Sequence, residues 1–203
     1  MIVIGAAFSA VLQIGESAPL VGIVAGLFAA GYFGSFYLSI ISTTIHDRDH
    51  TPDWPSFSNF LDDIISPFFR LLWLGLLSFL PLILILIFGE GEIWALPLII
   101  FTALYGCFYF PMAVLAMLSY GGFLAALPPI VVPAILRCMP GYILTVVVLI
   151  ATFIICGVVE ELCGHIPYVG WLFGTAVGLY SLMVQARLIG LLYRNKREEI
   201  GWD

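Results

Sequence analysis

Apolar residues run along this chain in long blocks broken by short polar stretches. The blocks match the ~20 residues of helix needed to cross ~30 Å of hydrocarbon. They predict six helical spans, at about 1–14, 18–45, 67–88, 93–118, 141–159 and 168–193. The first is too short to cross alone. It also lacks the basic leader and small-residue cleavage signal of a secretory peptide. The expected fold class is an all-α integral membrane protein of about six transmembrane helices.

The blocks repeat at about 73–74 residues. Pro19-Leu-Val-Gly22 returns as Pro167-Tyr-Val-Gly170, 148 positions on, and Pro67 and Pro140 each open an outgoing span. The unit is an interfacial segment, a span out, a short acidic turn and a span back. Its copies fall at about 1–45, 55–118 and 128–193. Such units are parallel hairpins related by an axis along the membrane normal, within one domain of 1–203. The period run backwards starts the first hairpin before Met1, so either the chain begins upstream or this unit is naturally truncated.

Small residues mark the returning helices. Gly22, Gly26, Ala30 and Gly34 lie four apart, as do Gly170, Gly174 and Gly178. Residues four apart share a helix face, and a smooth face lets backbones approach closely in lipid. Both ridges are expected to be helix-packing or partner surfaces.

The longest polar run is the elbow, 46–66, opening His46-Asp-Arg-Asp-His50. His46, Asp47, Asp49 and His50 are weak candidates for a metal or catalytic cluster, because the H-E-x-x-H spacing of metalloproteases is absent. Pro52-Asp-Trp-Pro55 predicts a turn, with Trp54 at headgroup depth. From Pro55 to Ser66, Phe57, Phe60, Leu61, Ile64 and Ile65 line one side, opposite Ser58, Asn59, Asp62 and Asp63. That pattern predicts an amphipathic helix in the membrane plane. Ser66 would cap the next span, with Pro67 its first residue and Arg70 reaching back to the interface. Asp62 and Asp63 are unusual on such a helix and suit a protein partner, or pairing with Arg48, Arg70 or Arg137.

Composition supports the bilayer. Hydrophobic residues make up 62% of 203 positions and charged residues 10%, against about 25% charged in soluble domains. Net charge is −6, but placement matters more. Arg48, Arg70, Arg137, Arg187, Arg194, Lys196 and Arg197 all fall at one side of the six spans, and the opposite turns hold Glu16, Glu90, Glu92, Glu160, Glu161 and His165. The positive-inside rule then places both termini and the elbow in the cytoplasm of a bacterial inner membrane. The tail, 194–203, extends the last helix, with Trp202 folding back to the interface. Cys107, Cys138, Cys156 and Cys163 are too scattered for a disulfide.

Chemistry is sparse. Serines and threonines within the spans are expected to bond back to their own helices. Mid-membrane acids, a span lysine and nucleotide, haem or nucleophile-elbow motifs are missing from the sequence. Glu160, Glu161 and His165 crowd one outer turn as a further weak metal candidate. Neither cofactor nor nucleic acid is expected; an apolar groove for lipid or pigment has no signature in sequence.

The PDWP loop with Asp62 and Asp63, and the closing Leu188-Ile-Gly-Leu-Leu-Tyr-Arg-Asn-Lys-Arg-Glu-Glu-Ile-Gly-Trp202, resemble a domain-of-unknown-function group of bacterial polytopic membrane proteins. The resemblance implies a fuller N-terminal part and brings no catalytic residues. The expected function is a non-catalytic accessory or scaffold subunit of a larger membrane complex, with lipids and other membrane subunits as partners. A small-molecule or lipid transporter is the alternative, and an enzyme at the His46 cluster the third reading.

Overall fold

The computed structural model describes residues 19–46, 61–89, 95–166 and 170–202. Among these, the chain is helical and no strand is present. Helix α1 spans Pro19–Ile45. A π-helical turn, Leu61–Ile65, leads into α2 (Ser66–Phe88), followed by α3 (Ala95–Tyr120). A 3-10 turn (Phe123–Ala126) then precedes α4 (Pro128–Arg137), α5 (Met139–Gly164) and α6 (Gly170–Ile200). Five helical stretches are long and apolar enough to cross a membrane: Gly26–Ile45, Leu61–Phe88, Ala95–Tyr120, Met139–Gly164 and Leu172–Ile200. The expected span at 1–14 lies outside the described residues, as do Trp54 and the elbow from Asp47 to Phe60.

Two expectations need correction. Ser66 does not cap a new helix, because helix runs unbroken from Leu61. Pro67 offers no N–H to the carbonyl of residue 63, and its ring crowds that group. A π turn moves the donor one residue on, past the proline. The outgoing span expected to end at 159 continues to Gly164, so Glu160, Glu161 and Cys163 form its last turn rather than a loop. Glutamate is a good helix former, and termination falls to Gly164 and the following residues. Arg137, one of three cations offered to the elbow carboxylates, bonds the Ile200 carbonyl through Nη1.

The chain forms two compact units. One comprises Met1–Phe68 with Val148–Leu188. In its described part, Ile64 turns inward, 2% exposed, onto α1 at Gly31. A Cβ at Gly31 would lie 2.9 Å from the Ile64 side chain and 3.2 Å from its carbonyl. Only glycine admits this contact. Further along α1, Arg187 of α6 donates to Thr44 Oγ1 at 3.2 Å, and that hydroxyl donates to the Ile40 carbonyl at 2.7 Å.

The other unit comprises Phe69–Val147 with Ile189–Asp203. Its core is the second half of α3, where Pro111 through Met117 are all buried. The run Pro-Met-Ala-Val-Leu-Ala-Met is apolar all round, as a helix enclosed on every side must be. The 3-10 turn and α4 pack along α3. The Tyr109 hydroxyl fixes them by donating to the Ala126 carbonyl at 2.5 Å. Trp73 Nε1 donates to the Phe123 carbonyl at 3.1 Å, and Phe79 lies against Gly106. The Tyr142 hydroxyl donates to the Phe108 carbonyl, about one turn before Pro111.

Candidate functional site

Two of the three histidines lie in the described residues. His46 follows α1, its Nδ1 2.8 Å from the Ser42 carbonyl. His165 follows α5, its Nδ1 2.8 Å from the Glu161 carbonyl. A carbonyl only accepts, so each Nδ1 carries the proton. Both rings serve the last carbonyls of a helix, which have no partner within it. His50, Asp47 and Asp49 lie outside the described residues.

Glu160, Glu161 and His165 remain close at the end of α5. With Gly157 and Gly164 they line an open pocket of about 400 Å³. Among the described residues, no three His, Cys, Asp or Glu side chains meet as a metal-binding group. The Glu160 carboxylate lies over α6, where a Cβ at Gly178 would be 2.6 Å from its Oε1. A Cβ at Gly170 would fall 2.1 Å from the Cys163 carbonyl, and one at Gly174 4.0 Å from that of Glu160. The Gly170–Gly178 ridge therefore faces the end of α5.

The ridge on α1 differs. Gly22 lies in the helix, Gly26 has open space where a side chain would be, Ala30 is exposed and Gly34 buried. The close approach falls on Gly31, outside the four-residue spacing.

At the elbow, the π turn leaves Asp62 exposed and Leu61 68% exposed beside it. Two residues on, Ile64 is locked into α1. Asp63 and Arg70 are half-buried. The turn thus holds an apolar and an acidic side chain together at the surface.

No family model, curated protein or solved structure matches this chain.

Among the described residues, a polar junction joins α4, α5 and the tail. Gly201 takes φ +70°, the left-handed conformation that ends helices at glycine, and its N–H donates to the Arg197 carbonyl at 3.1 Å. Arg137 Nη1 donates to the Ile200 carbonyl at 3.2 Å, placing a cation against the negative end of α6. Beyond the glycine, the Trp202 ring lies 5.9 Å from that of Tyr120 and 6.2 Å from that of Tyr193. The Lys196 stem crosses Gly141, where a Cβ would come within 2.9 Å of its Cε. Its Nζ bonds Glu199 Oε1 at 2.6 Å.

Cys138 is buried here between α4 and α5, its thiol donating to the Ala134 carbonyl at 3.1 Å. Burial pushes the thiol pKa up; its backbone hydrogen bond opposes this, Glu199 adds to it and Lys196 opposes it. It is a packing thiol rather than a nucleophile.

Sequence reasoning missed Arg137's bond to Ile200, along with Tyr109, Tyr142 and Trp73. A signal existed for the aromatics, since a Tyr hydroxyl or Trp N–H in an apolar run needs a partner. Which carbonyl it reaches is a tertiary fact.

Proposed function

We propose that this chain is a six-span subunit of a bacterial inner membrane, with both termini cytoplasmic, built from three parallel helical hairpins. It acts without catalysis, as an accessory or scaffold component of a larger membrane complex. The placement of a short segment before α2 and of α4 before α5 supports the hairpin repeat. The concentration of cations at one set of helix ends supports the orientation.

The observation that carries the association reading is the elbow turn. Leu61 is 68% exposed next to exposed Asp62, and Ile64 anchors their turn against Gly31. An acidic patch on an interfacial segment is disfavoured by anionic lipid. A carboxylate beside an exposed leucine on a fixed backbone suits a membrane-protein partner with a basic group, because preorganisation lowers the ordering cost of docking.

A photoreactive residue at position 61 tests this in native membranes. The expected product is one discrete protein adduct that Asp62→Lys reduces by about tenfold, since an introduced like charge in an interface costs several kcal/mol. Adducts only to lipid would overturn the association reading and favour transport or lipid handling.

A further inference from the structure

The geometry points to the α4–tail junction as a docking site for the phosphate of an anionic phospholipid headgroup. This rests on the membrane and orientation parts of the proposed function, and not on the subunit role. By sequence, Arg137 and the tail's Arg194, Lys196 and Arg197 supply four cations against three side-chain carboxylates, Glu198, Glu199 and Asp203. The chain as a whole carries −6. The local excess of positive charge is therefore not a background property of the protein.

Three features give the cluster the form of a headgroup site. Arg137 is exposed, yet its guanidinium is tethered through Nη1 to the Ile200 carbonyl. That tether holds a planar fork of donors at one place, the arrangement suited to a phosphate. Lys196 is held by Glu199 and by its stem over Gly141. Arg194 and Arg197 are exposed one turn apart on the same helix end. Trp202 and Tyr120, in contact with each other, add the aromatic pair typical of headgroup depth. A phosphodiester bound at Arg137 would keep its acyl chains beside exposed apolar residues of α4, such as Leu136, which is 62% exposed.

Free inorganic phosphate shares the anion chemistry but gains nothing from that apolar surface. The full chain, extracted mildly from membranes, is equilibrated with phosphatidylglycerol or phosphatidylcholine in mixed micelles. Retained lipid is counted by native mass spectrometry. Phosphatidylglycerol is expected to exceed phosphatidylcholine several-fold. Arg137→Gln should lower that ratio about fivefold, the value of one interfacial cation, and Glu198→Gln should raise it. The rise distinguishes a charge effect from a purely structural role for Arg137. Equal retention of both lipids, or a ratio unmoved by both substitutions, would overturn the site. Competition by millimolar inorganic phosphate at parity would overturn the lipid as its source. Recovery of the chain outside the membrane fraction would instead contradict the membrane reading on which the site depends.

Discussion

At the residue scale, what an added methyl group would meet separates two glycines of like spacing. Gly26 and Gly170 are alike in sequence, each a member of a four-residue ridge. Yet an added methyl meets open space at Gly26 and the Cys163 carbonyl at 2.1 Å from Gly170. Gly170→Ala is therefore expected to destabilise the protein by about 1–3 kcal/mol, because the backbone itself must move. Gly26→Ala should be neutral or stabilising by up to about 1 kcal/mol, as alanine is the better helix former. Thermal unfolding in one detergent, with each variant beside the parent, compares them. Equal loss at both positions would contradict the packing described for Gly170. Cys138 gives a second check. Its raised pKa suppresses the thiolate at neutral pH, and it is fully buried. It should resist maleimide at pH 7 in the folded protein and react only on denaturation; labelling without unfolding would show that the junction is open.

At the element scale, the long apolar blocks made the helices legible, and their starts and ends follow local chemistry. Gly121, at φ +70°, stops α3 after Tyr120 as Gly201 stops α6. Errors arose where tertiary or backbone effects override pattern. Pro67 read as the start of a helix, but the preceding turn joins it as a π turn. The acidic end of α5 read as a loop because charge was weighed above helix propensity. The fold-back of the 3-10 turn and α4 onto α3 was not legible at all. It depends on Tyr109 reaching a carbonyl 17 residues ahead. Tyr109→Phe keeps the ring and removes that donor. The expected loss is about 1 kcal/mol, within the range for an intramembrane hydrogen bond or an orphaned buried carbonyl. Proteolysis at the Gly121–Gly122 turn should quicken accordingly. An unchanged cleavage rate together with unchanged stability would remove Tyr109 from its role as a tether.

At the scale of the whole molecule, helix burial is uneven. Half of the α1 span window and 44% of that of α3 are buried, against 11% along the π turn and α2 and 17% along α5. In a bilayer, lipid or another subunit would cover what α2 and α5 leave exposed. Block length and low charge content made the long apolar helices readable in the sequence, and five of them are long enough to cross a membrane. What covers those faces was not readable, because an apolar helix face looks the same whichever hydrocarbon lies against it. The most direct test of the subunit role is to extract the chain gently from its native membranes, separate complexes by size and weigh what travels with it. The account predicts stoichiometric co-migration with a larger membrane assembly. Migration as a lone monomer or small homo-oligomer, with lipid as its only companion, would contradict it.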